Sequence, residues 1–296
     1  MSRLFLRSPV AGSLLMIHKD GQFAGQGGTR LYWQAWLPEG EVRAVILVAH
    51  GYGEHGGRYG NLVEEAVPRG FALYALDHRG HGRSEGPRGH VGRFAEFVSD
   101  LHALRVRVEE EQRGKPLFLL GHSMGGLIAV RYLLSHASGV AGTILSSPAL
   151  GIANEPSRPL QWVARILSWI APRTSFQGNV VPEFLSRDPS VGSAYAADPL
   201  VHRRATARFF TEFKRAMRNA HERAAEIVLP ILVLQAGDDR LVDARATESF
   251  AQKLGGAMNE FHLYTGFFHE LFNETERERV FVDLERWLEA RLAAMG

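Results

Sequence analysis

A mostly parallel β-sheet covered by helices on both faces and interrupted by one inserted helical segment is the α/β fold that this sequence predicts. Three observations predict it. Short apolar runs ending in Gly, Asp or Ser recur along the chain, each followed by a stretch of helical period. The runs are continuous where a half-exposed strand would alternate, which marks strands buried on both faces of a parallel sheet. Between 151 and 225 this order stops, and Pro156, Pro159, Pro172, Pro182, Pro189 and Pro199 punctuate short helical pieces. The chain therefore divides into a core of 1–150 and 226–296 and a cap of 151–225.

The elements follow in order. RLYWQAWL (30–37) alternates in the manner of a strand, and GQFAGQGG before it suggests a hairpin turn, so the sheet opens antiparallel. AVILVAHG (44–51) is an apolar run closing on glycine, with a helix over 58–67 behind it. FALYALDHRG (71–80) repeats the pattern, with a helix over 93–111. PLFLLGHS (116–123) leads into GLIAVRYLLSH, a helix with small residues at its start. GTILSSPAL (142–150), PILVLQAGDD (230–239) and EFHLYTG (260–266) complete the parallel set, and VFVDLERWLEARL gives the C-terminal helix of 275–293 its period. Ligands of such sheets bind beyond the carboxyl ends of the strands. Inside the cap, LQWVARILSWIA (160–171) confines Gln161, Arg165 and Ser168 to a narrow stripe. Two readings stay open: a helix buried within the cap, or a face that meets acyl chains or a lipid surface.

Composition excludes several function classes. Net charge is only +2, and Lys and Arg are spread without a polybasic tract, which argues against a nucleic-acid partner. The chain has no cysteine, so disulfides, thiolate metal sites and a cysteine nucleophile are all removed. Arg3 and Arg7 break the apolar N-terminus, and no apolar stretch approaches about 18 residues. Neither a signal peptide nor a transmembrane helix is expected, and a cytoplasmic location is.

Gly121-His122-Ser123-Met124-Gly125 fits the Gly-x-Ser-x-Gly nucleophile elbow and lies where that motif must lie, between a buried strand and a helix. A serine hydroxyl needs a base within reach and a carboxylate to hold that base in the right tautomer. Behind such an elbow the acid and then the histidine follow in the chain. Asp238 and Asp239 stand at the end of PILVLQA; Asp239 is preferred and Asp238 is the alternative, while Asp243 is better placed to cap ARATESFAQKL. His269 lies three residues beyond the Gly266 that ends the next strand, whereas His262 is inside it. A tetrahedral intermediate also needs two backbone donors, assigned to the amides of Met124 and of Tyr52 in His50-Gly51-Tyr52-Gly53. Asp77, His78 and His81 lack a further ligand at defined spacing, so a structural turn is preferred over a metal site. No metal or cofactor is expected.

HGYGEHGGRY, DHRGHGRSEG, FLLGHSMGG, AYAADPL and AGDDRLVD together resemble the monoacylglycerol lipase and lysophospholipase branch of the α/β-hydrolases, over roughly residues 28–290. The resemblance implies the α/β-hydrolase fold, a triad of Ser123, Asp239 and His269, and oxyanion amides from Tyr52 and Met124. It also implies a polar alcohol pocket, matched by Glu54, Arg58, His122 and Tyr195. One feature departs: where animal monoacylglycerol lipases carry a second histidine three residues after the catalytic one, this chain has Phe272.

The expected reaction is hydrolysis of monoacylglycerols to fatty acid and glycerol through an acyl-enzyme, the alternatives being a lysophospholipase or a general carboxylesterase. Ser123 argues against the aspartate-nucleophile hydrolases that share such scaffolds. Trp162, Ile166, Trp169 and Ile170 are expected to wall the acyl chain. The expected partner is a small lipid ester, with transient membrane-surface contact through the cap left open.

Overall fold

The computed structural model describes residues 16–178 and 180–295. Arg3 and Arg7, on which the reading of the N-terminus rests, lie outside the described residues. The strands are β1 (Met16–Ala24), β2 (Arg30–Pro38), β3 (Ala44–Ala49), β4 (Phe71–Leu76), β5 (Leu117–His122), β6 (Gly142–Ser146), β7 (Ser175–Gln177), β8 (Arg204–Thr206), β9 (Ile231–Ala236) and β10 (Asn259–Tyr264). The helices are α1 (Gly60–Ala66), α2 (Ala95–Glu111), α3 (Met124–His136), α4 (Arg158–Ile170), α5 (Pro189–Ala197), α6 (Ala207–Glu222), α7 (Ala244–Ala251) and α8 (Glu278–Ala293).

Eight strands form one sheet in the order β1-β2-β4-β3-β5-β6-β9-β10. Pairings β1/β2 and β2/β4 are antiparallel and the rest are parallel. The continuous apolar runs follow from this geometry, because successive side chains point to opposite faces and both faces are covered. On β3, Val45 and Leu47 join the core beneath α2 and α3, while Ile46 and Val48 join the core beneath α1 and α8. The alternation read in β2 does not match its burial, since Leu31 through Ala35 are all buried between the flanking strands.

Between β6 and β9 the chain leaves the sheet and builds α4, α5 and α6, with a small antiparallel β7/β8 pair that the run of prolines gave no sign of. α4 packs on α6, where Ser168 Oγ lies 2.7 Å from Thr211 Oγ1. The excursion folds back over the carboxyl ends of β3, β5 and β9, and there the chemistry-bearing side chains meet.

Candidate active site

Ser123 sits where β5 gives way to α3, with φ 52° and ψ −118°. A non-glycine residue at positive φ is strained by roughly 1–3 kcal/mol, and such strain persists only where the surroundings enforce it. Here the enforcement is close packing: a Cβ at Gly121 would strike the Gly125 carbonyl, and one at Gly125 would strike the Ala49 carbonyl of β3. The two glycines of the motif are what let the turn fit against its neighbouring strand.

His269 and Asp239 meet from loops after β10 and β9. The ring Nδ1–H donates to Asp239 Oδ2 at 2.6 Å, which leaves Nε2 as the free nitrogen. Asp239 Oδ1 accepts from the amides of Leu241 and Val242 at 2.8 and 3.0 Å, so the carboxylate is held from both sides and fully buried. Burial works against a charged imidazole, but the charge and hydrogen bond of Asp239, helped by Glu270 and Glu54, raise the His269 pKa above its ordinary value. Ser123 and His269 line one cavity, although among the described residues no hydrogen bond closes between the Ser123 hydroxyl and the ring. Asp238 is exposed, and His262 on β10 faces Glu260 and Asp283.

Among the described residues, the amides of Tyr52 and Met124 donate to no protein acceptor. The Tyr52 loop is held by its neighbours: Gly51 N–H donates to Glu54 Oε1 at 2.6 Å, and the carbonyl of Gly53, at φ 79°, accepts from His202 N–H at 2.9 Å. Asp77 serves the same loops, accepting from the amides of Gly56 and Arg83 at 2.9 and 2.8 Å.

Glu54, Arg58, His122 and Tyr195 all line the cavity with Ser123. Glu54, Arg58 and His122 are largely held by hydrogen bonds within the protein. Arg58 bridges Glu54 Oε2 at 2.7 Å and Glu270 at 2.6 and 2.9 Å, and its guanidinium lies 4.8 Å from the centroid of the Tyr195 ring. The Tyr195 hydroxyl is buried without a hydrogen-bond partner among the described residues. His122 bonds the Ser146 carbonyl through Nδ1 at 3.1 Å; burial, then the neighbouring His269, push its pKa down to about 4, so the ring is neutral. Phe272 is buried beside this cluster and stacks on Phe281.

The cavity encloses about 350 Å³ and is mostly apolar away from that cluster. Its wall is not the one expected. Trp162, Ile166, Trp169 and Ile170 point outward, 65, 52, 83 and 63% exposed, and none lines the cavity. Nor is α4 buried within the cap. It packs through its small residues Ala164 and Ser168, so close approach to α6 turns the large side chains away. The wall is made by Leu160 and Ala164 of α4, Phe176, and Phe209, Phe213 and Met217 of α6.

Residues 40–276 match the family described as serine aminopeptidase, S33. The chain belongs to this family of α/β hydrolases. The hydrolase is 35% identical to a monoacylglycerol lipase of Mycolicibacterium smegmatis, covering 92% of this chain and 98% of that protein. It is 32% identical to phospholipase YtpA of Bacillus subtilis, over 84% of this chain and 95% of that one. The crystal structure of a monoacylglycerol lipase from Paleococcus ferrophilus superposes with a TM-score of 0.78 at 30% identity, covering 93% of this chain and all of that one.

Two features of the hydrolase's site escape sequence reading. Glu270 is one: its buried carboxylate pairs with Arg58 across 212 residues, and nothing in the local sequence announces the pair. The Arg58 guanidinium holds Glu270 below the usual carboxylate range although burial opposes its charge. The α6 wall is the other, and it carried a readable signal, since Phe209, Phe213 and Met217 recur every fourth residue on one helix face.

Proposed function

We propose that this chain hydrolyses monoacylglycerols through an acyl-enzyme on Ser123, with the segment between β6 and β9 acting as a cap over the acyl chain. The observation that carries the reading is a cavity with three unlike parts: an elbow serine beside a buried His–Asp pair, a long apolar wall, and a short polar end. His269 Nε2 takes the Ser123 proton as Oγ attacks the ester carbonyl. The amides of Tyr52 and Met124 stabilise the developing oxyanion. Collapse expels the alcohol, protonated by His269, and water, deprotonated by the same nitrogen, frees the acid and restores the serine.

Two alternatives meet the same geometry differently. An aminopeptidase needs a carboxylate free to pair with the substrate ammonium, and here Glu54 and Glu270 are both already engaged by Arg58. A lysophospholipase would have to place a phosphodiester near these same carboxylates, at a cost in repulsion. A panel of monoacyl-, diacyl- and triacylglycerols, a lysophospholipid, p-nitrophenyl esters of several lengths and an amino-acyl nitroanilide tests the reading. Monoacylglycerols should give the highest kcat/KM; acetate esters or triacylglycerols matching them would overturn it.

The outward face of α4 favours contact with the lipid surface that holds such substrates. Exposed Trp162 and Trp169 suit a membrane interface, where an amphipathic ring sits between water and acyl chains. Residues 156–177 carry Arg158, Arg165 and Arg173 and no acidic residue. No helix among the described residues is long and apolar enough to cross a membrane, so the contact proposed is one of docking.

A further inference from the structure

Away from the cavity, an open groove of about 720 Å³ runs between the start of α2, the middle of α3 and the outer face of α6. Arg93, Arg131, Arg208, Arg215 and Arg218 line it, against Glu212 and Glu222. The two carboxylates do little to neutralise it. Glu212 accepts from the Phe94 amide at 3.1 Å and stands 3.8 Å from Arg215, while Glu222 stands 3.9 Å from Arg218. Arg93, Arg131 and Arg208 make no ion pair among the described residues.

Arg131 is the informative member. It projects from α3, its Nη1 is fully buried, and among the described residues that nitrogen has no hydrogen-bond partner. A buried guanidinium donor left unmade is costly; an anion in the groove that Arg131 also lines offsets the charge of the group, although the sealed Nη1 itself is out of its reach. Burial, then the charges of Arg223 and Arg215, press its pKa below the ordinary guanidinium value. The same positive field acts at the groove's edge, where burial and then Arg173 hold the His90 imidazole below its usual range despite Glu96. We propose that this groove is a binding site for a phosphate group, with Arg131 at its floor and Arg208 and Arg93 closing on the anion from the rim. Arginine forks suit a phosphate better than a halide because they can engage two oxygens at once, and a phosphate has further oxygens and charge for a second and third arginine that a single carboxylate lacks. The group can come from free phosphate or from the monoester headgroup of a phospholipid.

The test uses the full chain in two arms. In the first, inorganic phosphate is compared with potassium chloride at matched ionic strength in thermal melts of the wild type, Arg131→Gln and Arg208→Gln. Saturating phosphate should raise the wild-type Tm by roughly 2–4 °C over chloride, because it binds only the folded state. Both variants should lose most of that rise while keeping wild-type turnover of a soluble butyrate ester. In the second arm, phosphatidylcholine vesicles with and without phosphatidic acid are floated with each protein. Phosphatidic acid-dependent flotation that fails in the variants, without a phosphate effect in the first arm, assigns the site to a lipid headgroup. If Arg131→Gln does not fold, Arg208→Gln, partly exposed and free of ion pairs, decides alone. A wild type that responds to phosphate no more than to chloride and floats equally on both vesicles overturns the proposal, as do variants that respond like the wild type.

Discussion

Helices α4 and α6 are neighbours in the segment between β6 and β9, both are amphipathic, and they turn their apolar faces in opposite directions. α6 aims Phe209, Phe213 and Met217 at the cavity, with Phe209 and Phe213 stacked 5.4 Å apart. α4 shows Trp162, Ile166, Trp169 and Ile170 to solvent and touches α6 through Ala164 and Ser168. Periodicity reveals that a helix has an apolar face but not what the face meets. That is settled by where the small residues lie, since they decide which side another helix can approach. The α6 face is a wall inside the protein. The α4 face is apolar surface that folding does not use, which is the ground for the proposed contact with a lipid surface.

The comparison assumes that chemistry runs through the cavity α6 walls, and the largest expected effect tests that assumption. Ser123→Ala should lose at least ~10³-fold in kcat on any ester while staying folded, and a fluorophosphonate probe should no longer label the protein. Persistent labelling would move the nucleophile elsewhere and empty the comparison of meaning. Next in size is the inward wall. Phe213→Ala removes part of the surface against which an acyl chain packs, worth about 1–2 kcal/mol, or ~5–30-fold in kcat/KM for medium and long chains. Acetate esters, too short to reach it, should change little. A loss independent of chain length would show that Phe213 supports the fold and does not wall the substrate.

What was legible in the sequence divides along the same line. The sheet was legible because strands buried on both faces leave unbroken apolar runs, and AVILVA, FALYAL and ILVLQA are strands over those very residues. The elbow was legible because its glycines answer a local demand for space. Ser123, Asp239 and His269 could be picked out in chain order as candidates, and the structure brings the last two into contact and the first into their cavity. The wall was misplaced from α6 to α4 because both helices carry the same kind of pattern. The Arg58–Glu270 pair was invisible because only the fold makes partners of residues so far apart.

The outward face gives a smaller effect that appears in one assay only. The double variant Trp162→Ser, Trp169→Ser should turn over soluble butyrate esters within about twofold of wild type and lose ~10-fold on monoacylglycerol presented in vesicles. Its thermal stability should stay within about 0.5 kcal/mol, because both side chains are already in water. Equal losses in both assays would mean that α4, like α6, acts on the cavity. The two helices would then not differ in the way described.

The smallest expected effect concerns pH and separates the polar end from both helix faces. His269 must be neutral to accept the Ser123 proton, so kcat/KM falls as pH drops through its pKa. Burial favours the neutral ring, yet Asp239, and after it Glu270 and Glu54, raise that pKa above the ordinary imidazole value. The acid limb should therefore lie above pH 6.5. Glu270→Gln removes one of the charges holding the proton on the ring and leaves Arg58 with Glu54 alone, and both changes disfavour the imidazolium. The limb should move to lower pH, so the variant keeps a larger share of its own maximal activity in acid. His122, 4.7 Å from the His269 ring and titrating near about 4, cannot produce that limb at its wild-type position. The Phe213 and Trp162/Trp169 variants, which alter no charge near His269, should leave the limb where it is. A limb that stays fixed in Glu270→Gln, or moves to higher pH, would mean that Glu270 does not act on the His269 proton and holds Arg58 in place only.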